Sequence, residues 1–510
     1  MNRVRRIGLC ACTTLLYAGI ALGQVTTATL RGRIVDPQGK AVPAASVTVS
    51  REDKAFSRSV TTEPDGTFVI ANIPPSAVEV VVSAAGFAEA RRTGLMLEVG
   101  RTTTLDIDLK VAGVQETVSV DGEWAATVDT SRSVVDAVIG SAAIDALPLN
   151  GRNFLELALL VPGNAPAPNF DPTKSNSVLI SSAGQLGRGG NITIDGADNN
   201  DDVVGGPLQN VPQDSVQEFQ IATNRFTAES GRSASSVINV VTKSGTNQFH
   251  GSASLFARDS AWQSLPATFD RSTGDALPFD REQIAGSAGG PLTPRTFWFG
   301  ATEYRNQDGA VLVGVRDVPT RTIHRTFADA PLDDVLGSGR VDWRPTDSDA
   351  VMIRYAGEHA TDTGASSLDR AIGSASQRQT SRNSYNSVVG TWSRVVGPTF
   401  FNAATVSFSS FDNAIAPVAA GPQLTFPSIQ DGSSFRVPQG TTQKRFQLAD
   451  TVSMVRGAHS IRAGGEWQKV DAVFDLGVFR DGRIELVEDF ASFDHNGDGQ
   501  SHQQDRVAEA

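Results

Sequence analysis

Ser460-Ile461-Arg462-Ala463-Gly464-Gly465-Glu466-Trp467 alternates without a fault: Ile461, Ala463, Gly465 and Trp467 share one side of an extended chain, and Ser460, Arg462, Gly464 and Glu466 share the other. Successive side chains of a strand point to opposite faces, so this stretch builds a sheet with one apolar and one charged side. The same rhythm recurs outward from it. Gly339, Val341 and Trp343 oppose Arg340 and Asp342, while Val351, Ile353 and Tyr355 oppose Arg354 and Glu358. Ala253, Leu255 and Ala257 oppose Ser252, Ser254 and Arg258, with Phe256 an exception on the polar side. Two architectures satisfy this period: a soluble sandwich with its apolar faces inward, and a membrane barrel with its apolar face in lipid and water inside.

Connection lengths separate the two. Strands are expected at 249–258, 283–291, 296–306, 337–343, 350–358, 384–394, 399–411, 444–455 and 459–469, with a further candidate at 475–486. Asp259 to Glu282, Gln307 to Leu336, Ala360 to Asn383 and Asp412 to Gln443 are long and polar; Leu292 to Arg295, Arg344 to Asp349, Val395 to Pro398 and Arg456 to Ala458 are short. Long loops on one rim and short turns on the other favour the barrel. Beyond the N-terminus no run of about 18 apolar residues offers a transmembrane helix, and a closed barrel is the remaining way to satisfy every backbone hydrogen bond in lipid.

Composition narrows the function. In 510 residues, 20% are charged and 40% hydrophobic, which excludes a disordered or collagen-like chain. The formal charge of −12 argues against a nucleic-acid partner, since that task needs a basic face. Arg3, Arg5 and Arg6 precede the apolar run Ile7 to Leu22, and Ala21-Leu22-Gly23 has the small-x-small form of a cleavage site. Residues 1–23 thus read as an export signal. Both cysteines, Cys10 and Cys12, lie within it. The mature chain therefore lacks disulfides, thiol catalysis and Cys-based zinc sites.

Between residues 27 and 112 short strands recur at regular spacing. Leu30 to Val35 is followed by the turn Asp36-Pro37-Gln38-Gly39, and Pro64-Asp65-Gly66 turns one strand into the next. The pattern GRIVDPQGKAVPAASVTV, running on to DGTFVIANIPP, resembles the carboxypeptidase regulatory-like domain, a transthyretin-like β-sandwich of about seven strands. No HxxE or HExxH zinc pattern accompanies it. GxSxG, Walker A and GxGxxG motifs are missing too, and the six histidines are scattered, so no enzyme is expected.

Residues 123–247 mix element types. Asn153 is placed to cap a helix with Glu156 at its third position, Phe154 to Val161 forms its apolar body, and Pro162-Gly163 stops it. LPLNGRNFLELALLVPG (Leu147 to Gly163), NITIDGADNND (Asn191 to Asp201) and the long stretch Val211 to Trp262 resemble the plug of Oar-like TonB-dependent outer-membrane receptors, running into the first barrel strand. Phe279 to Gln307 and Lys444 to Gln468 are similar to barrel hairpins of that family.

The resemblance implies a mainly β protein: signal peptide (1–23), regulatory-like sandwich (24–115), TonB-box-like linker (116–122), α+β plug (123–247) and partial antiparallel transmembrane β-barrel (248–510). It implies an outer-membrane receptor or transporter that takes up an unidentified bulky nutrient, chelate or glycan, energised by the TonB complex. A non-transporting surface protein, an adhesin or assembly partner on the same scaffold, is the alternative. Glu116, Thr117, Val118, Ser119 and Val120 are similar to the box that pairs with TonB by strand addition; a last sandwich strand or a linker is the competing reading. Arg152 and Arg232 fall where the family places basic residues that pair with acids of the barrel wall. Asp195, Asp198, Asp201 and Asp202 form an acidic run that suits a ligand, a cation or plain turns.

Two features depart from the family. Nine or ten strands are far fewer than the roughly 22 of a plugged outer-membrane transporter, which suggests a fragment. In the tail, Asp494, Asn496, Asp498 and Asp505 stand at positions 1, 3, 5 and 12 of a calcium-type loop with Gly499 at 6, although Asp replaces the usual bidentate Glu. Apart from calcium there, no cofactor is expected, and a polar loop reads equally well.

Overall fold

The computed structural model describes residues 27–51, 56–112, 134–167, 178–223, 225–227, 229–265, 278–365, 372–397, 400–456 and 459–490. The sandwich comes first. Its strands are β1 (Ala28–Val35), β2 (Ser46–Arg51), β3 (Ser57–Thr61), β4 (Thr67–Ile73), β5 (Ser76–Ser83), β6 (Ala90–Leu97), β7 (Thr102–Thr104) and β8 (Ile107–Asp108). One sheet runs β4-β1-β7 with β8 also on β1, and the other runs β3-β2-β5-β6. Alternate residues such as Leu30, Val47, Val49, Ile70, Val80 and Val82 fill the space between them, as the period of two demands.

The plug follows: β9 (Asp136–Gly140), β10 (Asn164–Pro166), β11 (Ile180–Ser182), β12 (Asn191–Ile194), β13 (Ala197–Asp198), β14 (Val216–Thr223) and β15 (Ser236–Thr242). Five of these form one sheet in the order β13-β12-β15-β14-β9. The segment after Asn153 is a 3₁₀ helix, Phe154–Leu160, and Asn153 Oδ1 accepts from the Leu155 amide at 3.0 Å. Phe154, Leu155 and Leu157 pack with Ile194, Phe219 and Val240 in a core of the plug's own. The chain leaves the plug through Gly245, where a Cβ would stand 2.3 Å from the Trp298 carbonyl oxygen and 2.8 Å from that of Gly290. Only glycine permits this approach to the wall.

The wall is a nine-stranded antiparallel sheet that curves around the plug. It comprises β16 (His250–Arg258), β17 (Asp280–Thr293), β18 (Thr296–Asp317), β19 (Thr322–Trp343), β20 (Asp349–Ala365), then, past the short β21 (Ile372–Gly373), β22 (Arg378–Val396) and β23 (Phe400–Pro417). The short β24 (Gln423–Thr425) and β25 (Ile429–Gly432) precede β26 (Gln439–Arg456) and β27 (His459–Leu476), and β28 (Arg483–Glu485) comes last. Each wall strand neighbours the next in sequence. No helix among the described residues is long and apolar enough to cross a membrane.

Burial in the wall is the reverse of a soluble sandwich. Ile353 is 52% exposed and Trp467 53%, whereas Arg354 and Arg445 are 1% exposed and are the two largest fully buried side chains among the described residues. Glu303, Asp334 and Glu358 are also buried, while Leu255, Trp343, Trp392 and Leu448 face out. Apolar residues outside and charged ones within is the arrangement of a membrane barrel.

Two expectations are corrected. The stretch Gln307 to Leu336 is no loop: β18 and β19 continue as a paired hairpin to Asp317 and Thr322, closed by four residues, 318–321. Alternation weakens there because apolar residues of the arm fall on both sides: Leu312 and Val315 are exposed, while Val313 between them is covered by a small outer sheet. The candidate strand at 475–486 is not a wall strand. β27 ends at Leu476, and β28 joins β21, β25 and β24 in a small outer sheet. That sheet knits three outer connections together, with Phe426, Ile429 and Val313 buried beneath it.

Candidate functional site

The functional surface is the seam between plug and wall. At its centre the chain turns sharply between β12 and β13, with Asp195 and Gly196 at φ 51° and 80°. The Asp195 carboxylate, 2% exposed, accepts from the Thr242 amide at 2.9 Å and from its hydroxyl at 2.8 Å. Two wall guanidiniums approach it, Arg354 at 2.9 Å and Arg340 at 3.6 Å. A carboxylate this deeply buried requires such partners.

One strand further, Asp198 pairs with Arg445 of β26 and with Arg232 of the plug, and Asp202 is 2.6 Å from Arg445. Wall glutamines complete the seat: Gln447 accepts from the Asp198 amide and Gln443 from the Asp202 amide, both at 3.1 Å. Asp201 holds its own turn, accepting from the amides of Val203 and Val204 at 2.8 and 3.1 Å. On β20, Glu358 grips Asn210 through the backbone amide at 2.7 Å and the side-chain amide at 3.0 Å.

The seam's other pole has the opposite sign. Arg152, at φ 55°, meets Glu303 of β18 at 3.0 Å and the plug's Asp214 at 2.5 Å. Its guanidinium lies 4.8 Å above the ring of Phe256, the one aromatic that broke the alternation of the first wall strand. Arg258 and Arg281 donate to the Asn150 side chain at 3.3 and 3.1 Å. Thus the NGR turn presents a cation to wall acids, while the GADNND turn presents acids to wall cations.

Of the residues singled out in the sequence, Arg152, Asp195, Asp198 and Asp202 touch the wall. Arg232 turns to the plug's own Asp198 and Asp202, and Asp201 bonds within its loop. Glu116 to Val120 and the tail set Asp494, Asn496, Asp498 and Asp505 lie outside the described residues. The wall partners Glu303, Glu358, Arg354 and Arg445 were missed as site residues. Their signal was a charge on the polar parity of a wall strand.

A second seam closes the short-turn rim, where the sandwich meets the plug. The Val99 amide donates to Glu218 at 2.9 Å, Arg101 lies 3.7 Å from Asp136 on β9, and Arg51 donates to Ser244 at 2.9 Å. Burial pushes the Glu218 carboxyl up to about 8; the Val99 amide pulls against the shift and the negative charge of Glu98 adds to it. A cavity of about 340 Å³ remains between sandwich, plug and wall, with Phe56, Phe297, Arg340 and Arg344 among its lining residues.

Comparison with known proteins agrees with this architecture. The carboxypeptidase regulatory-like domain model matches residues 29–110, and the outer membrane beta barrel domain model matches 241–331 and 325–503. The TonB-dependent transporter Oar of Myxococcus xanthus is 26% identical over 385 residues, covering 70% of this chain and 34% of that protein. The outer membrane transporter YddB from Escherichia coli aligns with a TM-score of 0.53 at 11% identity, over 66% of this chain and 48% of the other. The chain thus spans about a third of the curated relative and about half of the solved transporter. It belongs to the outer-membrane β-barrel family, as an Oar-like TonB-dependent transporter homologue with a carboxypeptidase regulatory-like domain at its N-terminus.

Proposed function

We propose that the chain acts in energised, TonB-dependent uptake of a ligand across the outer membrane, the ligand being a bulky nutrient, chelate or glycan. The supporting observation is the seam itself. The plug meets the wall through buried, oppositely charged contacts, Arg152–Glu303, Asp195–Arg354 and Asp198–Arg445 among them, while the apolar contacts across the seam are small: Leu208 with Tyr385 and Phe411, and Ala356 against the plug's core. Buried ion pairs add little net stability when intact and fail abruptly once a partner moves. A plug so seated stays put at rest and yields to a pull.

The pull would enter through Glu116 to Val120, captured by TonB on the periplasmic side by strand addition. The next described strand, β9, lies at the edge of the plug sheet and, among the described residues, pairs with β14 alone, so it is the first to peel. Deleting residues 116–120 tests the reading. Binding to the purified C-terminal domain of TonB is expected to vanish, and cells should lose uptake while keeping surface binding. Unchanged TonB binding and unchanged phenotypes would instead favour a non-transporting surface protein.

A further inference from the structure

We infer that the wall carries a phospholipid site on its lipid-facing surface, built for one ethanolamine phospholipid of the leaflet on the short-turn side. The inference goes beyond uptake and stands or falls independently of it. A groove of about 850 Å³ crosses β20, β22, β23, β26 and β27 on the outer face. Neighbouring strands align Ile353, Gly390, Val406, Leu448 and Trp467 in one outward row, and Trp392, Ala404, Asp450 and Gly465 in the row below. Gly390, Ala404 and Gly465 withdraw the surface between two exposed indoles, Trp392 and Trp467. A flexible hydrocarbon chain fits such a channel, gaining contact with both ring systems.

The lower end of the groove is charged. Asp450 is exposed on the lipid-facing side, a few residues above the short turn joining β26 to β27, and accepts from Asn402 Nδ2 at 2.7 Å. A carboxylate within the apolar belt is expensive without a cationic partner. Arg394, also exposed, aligns with Asn402 across β22 and β23. It stands 3.8 Å from Asp349, whose oxygens already accept from Thr346 at 2.7 Å and from the Trp392 indole at 3.0 Å. An acid thus lines the lower end of one apolar channel, and a base stands one row below it on the same face, past Trp392. That pair complements a headgroup with an ammonium and a phosphate: the ammonium donates to Asp450, and the phosphate takes Arg394. A glycerol headgroup offers Asp450 no cation, and a trimethylammonium offers it no N–H. A second copy of the wall would bring apolar side chains against that carboxylate.

The test uses the 510-residue chain folded in mild detergent, supplied separately with dioleoyl-phosphatidylethanolamine, -phosphatidylglycerol and -phosphatidylcholine, and read by native mass spectrometry. One phosphatidylethanolamine per chain is expected, retained about tenfold better than the other two, the scale of one charge-assisted contact. Asp450→Asn should erase that preference while the β-sheet circular dichroism spectrum, which reports the folded wall, persists. Gly465→Leu, filling the channel, should reduce retention of all three lipids. Equal retention of the three by the wild-type chain overturns the proposal, as does a preference untouched by Asp450→Asn. A lipid-free dimer overturns it as well. If Gly465→Leu fails to fold, the wild-type comparison and Asp450→Asn decide alone.

Discussion

Arg354 and Arg445 define the chemistry at the scale of single residues. A guanidinium that is 1% exposed has lost its water, so its worth depends wholly on the carboxylate it meets. Removing one member of such a pair costs up to about 3–5 kcal/mol where the other is left wholly uncompensated; without Arg354, Asp195 would keep only the more distant Arg340 and the Thr242 hydrogen bonds. Arg354→Met is therefore expected to lower the unfolding midpoint in detergent sharply. Arg354→Met with Asp195→Asn should recover most of the loss, a coupling that a double-mutant cycle measures directly. Glu218 gives a pH signature at the sandwich seam. Its folded value of about 8 lies above the ordinary 4.5, so the native state holds a proton that the unfolded chain has released. The stability it contributes is complete below about 4.5 and is lost as pH rises toward 8, by at most about 1.4 kcal/mol per pH unit. Glu218→Gln should flatten the decline between those limits in pH-resolved thermal melts.

At the scale of elements, parity was legible and partnership was not. The alternation of Val351, Ile353 and Tyr355 placed Arg354 and Glu358 on the charged side of their strand, because a strand's period of two is a local property. What those charges would meet lay far along the chain: Asp195 precedes Arg354 by more than a hundred positions, and no local pattern carries that distance. The sandwich and the wall strands nearest the short turns were readable for the same local reason. The outer arm of β18 and β19 was not, since one of its sides packs against a sheet assembled from distant connections, and no local rhythm announces that cover. Ile484 mimicked a wall residue, yet β28 pairs in parallel with β24 across a non-local gap. The plug sheet carries its own prediction. Among the described residues β9 is bonded on one side only, whereas β15 lies between β12 and β14. Amide exchange over Asp136–Gly140 should therefore outpace that over Ser236–Thr242 by at least about tenfold in mass-resolved hydrogen–deuterium exchange, reflecting a lower local opening energy.

Across the whole molecule, three solvents meet three surfaces. The sandwich buries a conventional apolar core, the plug keeps a smaller one, and the wall turns its apolar side outward. Trp343, Trp392 and Trp467 should then be quenched strongly by brominated acyl chains after reconstitution and weakly by aqueous iodide; the opposite ranking would mean that the outward face meets water, and weak quenching by both that protein covers it. The same alternation governs the chain before it folds. Grease spread over every second position of the wall never accumulates into a continuous oily segment, so the unpaired chain shows a bilayer no stretch it could hold as a helix. The oily surface comes into being only when the strands pair and bring those alternate positions side by side.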